Sequence, residues 1–391
     1  MSFQGKLRIL MVNYEFPPIG GGGGIVTRYL GREFARRGHD VTLVTSHFDR
    51  LPRCEIIDGV KVYRVPVIRR SPNVAKVHEM FTYILSALVW SFRYVPVIRP
   101  DIVQVFFGIP SGPVAYAIGK TMGHPYVVFL GGRDVPRPNP DPPYYRYLYP
   151  ILKPAIRAIW RSAGAVIACS EGLKRLALRT DPETRIEVIP DGIDLSRFHA
   201  PKREAEPDVV RVLSIGRLIP RKGFHHLISA LPHLREMTGR KFMVEIVGDG
   251  PMMDELKELA KKLEVDDLVA FSGTVLYERL HERYESADLF TLCSSAEGMP
   301  LVVLEAMAMG LPVVATKVQG IEELVHDGVN GYLIEDPSDS QTLADRISRL
   351  IENGQARVKM GAEAIRSVER YDWARIAERY LDVYRRVLSR V

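Results

Sequence analysis

The stretch "DLFTLCSSAEGMPLVVLEAMAMGLPVVAT", residues 288–316, reads as strand, loop, helix and strand. Its first run, "DLFTLCS", and its last, "LPVVAT", are short, apolar and β-branched, as strands buried on both faces are. Between them lies the helix-forming "LVVLEAMAM", entered through a turn shaped by Gly298 and Pro300. A strand that returns through a helix belongs to a parallel sheet with right-handed crossovers. Two carboxylates are placed by this reading. Glu297 falls in the loop at the first strand's carboxyl end, and Glu305 falls in the second helical turn between Leu304 and Ala306. An unpaired buried charge is disfavoured, so Glu305 calls for a polar partner, and the vicinal hydroxyls of a ribose would suit it.

The same alternation runs through the whole chain. The first half offers "RILMVNY", "DVTLVTS", "VKVYRV", "DIVQVFF", "PYVVFL", "AVIACS" and "IEVIP" as strands; the second adds "VVRVLSIG", "FMVEIVG", "LVAFSG" and "GYLIE". Helical patterns such as "IVTRYLGREFARRG" and "MMDELKELAKKL" separate most of them. The chain has 391 residues, enough for two domains. A break is expected in the polar, Pro-containing "FHAPKREAEPD", Phe198 to Asp208. The reading is therefore α/β, with two doubly wound domains, 1–200 and 201–371, facing a cleft. Ligands bind such sheets outside the carboxyl ends of the strands. The final segment carries Trp373, Ile376, Tyr380, Tyr384 and Val387 at helical spacing, a stripe that must pack somewhere.

Composition excludes several classes. Three scattered cysteines without a C-x-x-C pair argue against a disulfide framework or zinc site and suit a reducing cytoplasm. Lys6 and Arg8 precede only the short run "ILMV", a first strand and not a signal peptide. Residues 1–200 hold 27 Lys+Arg against 16 Asp+Glu, a net +11, while the remainder carries −5. A basic half suits an anionic partner such as a membrane surface; a solvated basic face explains it equally well. "MFTYILSALVWSF", Met80 to Phe92, is uncharged and shorter than the ~20 residues that span a bilayer. It reads first as a core or interdomain helix and second as an interfacial one.

Several loops at strand ends have phosphate-binding chemistry. Gly20 to Gly24 run into a helix start, where uncovered amides and the helix dipole favour an anion. A mobile surface turn is the plain alternative. The acidic residue of a dinucleotide fingerprint is absent from the tip of the second strand, which weakens that reading. In "SIGRLIPRKGF", Arg217 and Lys222 present a guanidinium fork and a compact ammonium at a strand's carboxyl end, as a diphosphate would need. "VGDGPMMDEL" repeats the glycine loop at Gly248, and "FSGTVLYERL" offers a backbone edge for a base around Val275. The backbone from Met299 to Val302 opens the helix that bears Glu305 and, Pro300 aside, offers orphan N–H donors.

Taken together these stretches resemble the retaining nucleotide-sugar glycosyltransferases of the GT-B fold, family 4, over essentially the whole chain. The most specific element is the E-x7-E signature, here "EGMPLVVLE". "GGGGG", "IGRLIPRKG", "VGDGP", "ACSEGL", "VIPDGIDLSRF" and the Trp-bearing last helix follow in the family's order. The resemblance implies that Arg217 and Lys222 hold the donor diphosphate, that Glu305 binds its ribose, and that Glu297 faces the donor sugar. The backbone of Gly298, Met299, Pro300 and Leu301 would lie at the sugar and phosphates, with N–H donors from all but Pro300, and Gly248 and Val275 would lie at the nucleotide. Gly22 and Gly23 would approach the diphosphate from the other domain. Helix 372–391 would cross back onto the N-terminal domain. The family's frequent H-G-x-D appears here as "GGRD": Gly131 stands at the His position, and Asp134 or Arg133 is left to contact the sugar.

The implied reaction moves a hexosyl unit from a UDP- or GDP-sugar to an acceptor hydroxyl with retention, without a metal or other cofactor. A sugar, glycolipid or lipid-linked acceptor in cell-envelope glycan synthesis is expected. So are cytoplasmic placement, peripheral on the inner membrane face, and no nucleic-acid partner. An epimerase of the same fold or a silent sugar-nucleotide binding protein are the rivals; a phosphorylase would need a pyridoxal-binding lysine, for which no signature is found.

Overall fold

The computed structural model describes residues 5–71, 76–131, 135–136, 144–201, 203 and 206–390. They form two compact units, Met1–Asp191 with Trp373–Val391, and Gly192–Asp372.

The first unit carries β1 (Arg8–Val12), α1 (Gly22–Arg36), β2 (Asp40–Ser46), β3 (Cys54–Ile57), β4 (Val60–Val65), α2 (Val77–Ile98), β5 (Ile102–Phe106), α3 (Gly112–Met122), β6 (Tyr126–Leu130), α4 (Tyr145–Arg161), β7 (Ala165–Ala168), α5 (Glu171–Leu178) and β8 (Ile186–Val188). Its sheet has the order β3-β4-β2-β1-β5-β6-β7-β8. The second unit follows with β9 (Val210–Ile215), α6 (Phe224–Met237), β10 (Phe242–Val247), α7 (Met253–Lys262), β11 (Val269–Gly273), α8 (Leu280–Glu285), β12 (Leu289–Leu292), α9 (Leu301–Ala308), β13 (Val313–Thr316), β14 (Gly331–Ile334), α10 (Ser340–Glu352) and α11 (Gly354–Val368). Its sheet runs β11-β10-β9-β12-β13-β14, parallel throughout. The last helix, α12 (Trp373–Leu388), returns to the first unit.

Each sheet reverses its strand order once, between β1 and β5 and between β9 and β12. Loops leaving the two strands at such a point diverge and open a crevice at the carboxyl ends. Full burial of β5, β6, β12 and β13 on both faces follows from their unbroken apolar runs.

One strand escaped the pattern. β3 pairs antiparallel with β4, Ile57 opposite Val60. The two are joined by Asp58 and Gly59, both at positive φ (52° and 82°), the geometry of a two-residue hairpin turn.

The expected break at Phe198–Asp208 is corrected, and with it the boundary at residue 200: the chain crosses between units at Asp191–Gly192 and returns at Asp372–Trp373. Phe198 is buried against the rings of Tyr277 and Tyr284, with centroids 6.2 and 6.0 Å away. Arg203 donates to the carbonyls of Tyr284, Glu285 and Met309 at 2.8, 2.9 and 2.9 Å. A cation on the orphan carbonyls ending α8 and α9 is a stable arrangement, so Phe198 and Arg203 are both held on the second unit.

The stripe of α12 packs on α1 and β5. Trp373 stacks on Tyr29 at 5.6 Å, and the Tyr384 hydroxyl donates to Gln104 Oε1 at 2.8 Å. The apolar stretch Met80–Phe92 lies within α2, which is more amphipathic than a core helix. Tyr83, Ala87, Trp90 and Val95 are buried, while Phe81, Leu85, Val89 and Phe92 stay 50–72% exposed.

Candidate functional site

The site of the second unit is built by glycines that let strand-end loops touch. Gly223 has φ 70°, and a Cβ there would lie 2.0 Å from the Cys293 carbonyl oxygen. This permits the loop after β9 to lie on the end of β12, where the Ser295 amide donates to the Arg221 carbonyl at 2.9 Å. Gly248, at φ 139°, brings the end of β10 against the Gly216 carbonyl, 1.9 Å from where a Cβ would stand. Only glycine tolerates either approach.

The seam delivers Lys222 to Glu297. Their Nζ and Oε1 are 2.7 Å apart, and Arg221 Nη1 lies 3.7 Å from Oε2 while donating to the Ala296 carbonyl at 2.7 Å. The side chains of Lys222, Arg221 and Glu297 are 15, 16 and 8% exposed. Burial alone would raise the Glu297 pKa, but the charges of Lys222 and Arg221 outweigh it and hold the carboxyl near 2. Burial pushes the Lys222 ammonium down against the pull of Glu297, and the charges of Arg221 and Arg217 add to the downward push. Arg217 is exposed at the same strand end. Two cations thus share one carboxylate, and the Arg217 charge lies near enough to act on Lys222, a setting that favours an anion. Arg221 was missed by sequence reading, although it adjoins Lys222 in "IPRKG".

Glu305 is 2% exposed on α9. Its polar partner is the protein's own: the Tyr284 hydroxyl donates to Oε2 at 2.7 Å. Burial raises its pKa to about 6, opposed by hydrogen bonds from Tyr284 and Tyr277 and by the charge of Arg197. Arg197 stacks over the Tyr277 ring at 4.7 Å and donates to its carbonyl at 2.6 Å. The polar partner that burial of Glu305 calls for is thus supplied by tyrosines remote in sequence. Pro300 opens α9 without a side-chain cap. The preceding loop is braced where the Gly298 carbonyl meets Gly320, whose φ of 81° excludes a side chain. Val275 is half-buried in the loop after β11, two residues before Tyr277. Arg217, Lys222, Gly248, Val275, Glu297, Gly298, Met299, Pro300, Leu301 and Glu305 thus gather at the carboxyl ends of β9 to β12.

In the first unit, α1 begins at Gly22, inside the glycine run, so Gly22 and Gly23 form its first turn. Packing accounts for part of the run. A Cβ on Gly23 would lie 2.3 Å from the Phe107 ring, and one on Gly20 2.6 Å from the Glu15 side chain. Glu15 Oε2 accepts from the Gly21 amide at 3.2 Å, so a carboxylate already takes one of the amides expected for an anion. Phe107 also explains Gly131: a Cβ there would stand 2.9 Å from Phe129 and 3.1 Å from Phe107. Arg133 and Asp134 lie outside the described residues.

Comparison with known proteins bears on the family and the fold. Residues 196–367 match the family model of glycosyl transferases group 1, and residues 20–197 match glycosyltransferase family 4. A putative teichuronic acid biosynthesis glycosyltransferase of Bacillus subtilis is 31% identical over 310 residues, 77% of this chain and 74% of that protein. A GDP-mannose-dependent alpha-(1-6)-phosphatidylinositol monomannoside mannosyltransferase of Mycobacterium tuberculosis is 28% identical over 97% of this chain and 98% of its own length. Among solved structures, sucrose-phosphate synthase from Thermosynechococcus elongatus superposes with a TM-score of 0.83 at 21% identity, covering 98% of this chain and 99% of the other. With its paired Rossmann-like sheets, the chain belongs to the group 1 glycosyltransferases of the GT-B fold.

Proposed function

We propose that the protein transfers a hexosyl unit, with retention, from a nucleoside diphosphate sugar to an acceptor carried on a lipid or envelope glycan. The observation that supports this reading most is the cation cluster about Glu297, with Glu305 in the second turn of the helix that follows. Lys222 and Arg217 neutralise the diphosphate as the anomeric C–O bond breaks, and helix-terminal amides of α9 add to that stabilisation. Arg221 holds Glu297 in place to face the donor sugar. Glu305, ionised, accepts from the ribose hydroxyls. The acceptor oxygen attacks the face that the phosphate leaves, and its proton passes to the departing phosphate oxygen. The work asked of the protein is positioning and charge stabilisation, without a covalent intermediate or a metal. The Mycobacterium relative acts, by its name, on a phosphatidylinositol mannoside with GDP-mannose. That supports a lipid-borne acceptor and keeps a GDP-sugar among the donors beside UDP-sugars.

Thermal-shift screening of UDP- and GDP-sugars identifies the donor, because a bound ligand raises apparent stability by mass action. NMR of the product made from that donor then reads the anomeric configuration. Retention with undiminished rate in a chelator is the expected result. An inverted product, a chelator-sensitive rate, or an altered nucleotide sugar formed without acceptor would overturn the proposal.

A further inference from the structure

The proposed transfer leaves one surface of the first unit unused. A groove of about 520 Å³ runs between α2 and the β3–β4 hairpin. That volume lies within the ~300–1,000 Å³ of sites that enclose small ligands. Its floor is aromatic: Tyr63, Trp90 and Tyr94 have ring centroids 5.1–5.6 Å apart. Trp90 Nε1 is buried there without a hydrogen-bond partner among the described residues. Leu85 and Val89 form the lip.

The lip is also part of a wider surface. Leu85 and Val89 are 50 and 72% exposed, and they fall in line with Phe81 and Phe92, 59 and 55% exposed, along one side of α2. A stripe of four large exposed apolar side chains on one helix is unusual for a surface that meets only water. Cations border it. Arg53 and Arg93 line the groove, and the Arg93 guanidinium lies 5.8 Å from the Tyr94 ring centre. Of the nearby acids, Glu55 pairs with Arg64 and Asp58 with Arg28, so the positive charge at the mouth is uncancelled by them.

We propose that this groove takes one acyl chain of an anionic membrane lipid, with the open side of α2 lying in the bilayer surface. Continuity of the apolar lip with the exposed stripe, and the arginines at the mouth, fit a lipid whose tail enters the groove and whose phosphate stays at the rim. The site deepens the reading of a lipid-borne acceptor and rests on it for its purpose, since it holds the enzyme where such an acceptor resides.

The test uses the full chain with phosphatidylcholine vesicles, with and without phosphatidylglycerol, and with lipids brominated on the acyl chain. Trp160 and Trp373 are 1 and 2% exposed and Trp90 9%. Bromolipid quenching therefore reports on Trp90, and Trp90→Phe should abolish it. Cosedimentation is expected to require the anionic lipid and to fall at least tenfold in Leu85→Glu/Val89→Glu. Those positions are exposed, so the fold should survive. Arg53→Ala and Arg93→Ala should each lower partitioning about fivefold, the effect of one cation at an anionic surface. Binding indifferent to phosphatidylglycerol, binding without Trp90 quenching, or an unaffected double variant would each overturn the site. Equal quenching by a dispersed brominated fatty acid without vesicles would overturn the bilayer as its source. Nucleotide-induced thermal shift, measured without vesicles, separates the two readings. Its persistence alongside failed vesicle binding refutes the groove alone, whereas its absence from the wild-type chain refutes the transfer reading.

Discussion

Replacing Lys222 separates what the lysine does for the fold from what it does for the reaction. Its ammonium lies 2.7 Å from Glu297, and both side chains are at most 15% exposed, so water screens the pair weakly. Lys222→Ala strands a buried carboxylate with only Arg221, at 3.7 Å, among the ion-pair partners described here. Breaking one side of a buried pair costs about 3–5 kcal/mol. The acid equilibrium gives a similar figure. Glu297 titrates near 2 in the fold against an ordinary 4.5, a difference worth on the order of 3 kcal/mol. Because the folded value is the lower one, that stability is present above about pH 4.5 and lost as pH falls toward 2. Without Lys222 the Glu297 pKa rises, and acid unfolding should begin at higher pH.

The chemical loss is distinct. Removing one preorganised charge-stabilising group lowers turnover about 10²–10³-fold. The double variant Lys222→Met/Glu297→Gln removes the stranded charge and should recover most of the stability while leaving turnover low. Nucleoside diphosphate release at saturating donor, with thermal unfolding followed from acid to neutral pH, reads both effects. The reasoning is refuted if Lys222→Ala stays within tenfold of the wild-type turnover, or if the double variant regains activity together with stability.

Two further outcomes follow from the same geometry. Glu305 titrates at about 6, above its ordinary value, so its own contribution is most favourable below about pH 4.5 and falls by on the order of 2 kcal/mol as pH rises through 6. Glu305→Gln should therefore stabilise the donor-free protein at neutral pH while weakening donor binding roughly 30-fold, the loss of a hydrogen bond to a charged group; calorimetric binding equal to wild type would contradict the ribose role. Gly223→Ala meets the Cys293 carbonyl at positive φ and should displace Lys222 and abolish turnover, whereas Gly21→Ala, with nothing within 4 Å of its Cβ, should leave the unfolding temperature unchanged.

What the sequence could show depended on how local each interaction is. Strands such as β12 and β13 are buried on both faces, and that environment demands the same residue types whatever lies around them. Their runs were legible, and the loop between them placed Glu297 correctly. β3 failed because a short edge strand needs no apolar run; the Asp58–Gly59 pair was the available signal. The stretch that bears Phe198 and Arg203 failed differently. Its polarity reads as linker until the carbonyls at the end of α8 are seen to bind Arg203. Sequence spacing also treated Lys222 and Glu297 as separate agents, one for phosphate and one for sugar, whereas the fold makes them each other's counter-ion 75 residues apart. That pairing has a consequence for the proposed cycle. A donor diphosphate entering the site must draw Lys222 from a carboxylate held near pKa 2, so donor binding exchanges one ion pair for another. Much of the attraction is thus offset in the ground state, and the full charge is felt as the phosphate gains negative charge on departure. Stabilisation realised mainly in the transition state raises turnover without tightening substrate binding in proportion.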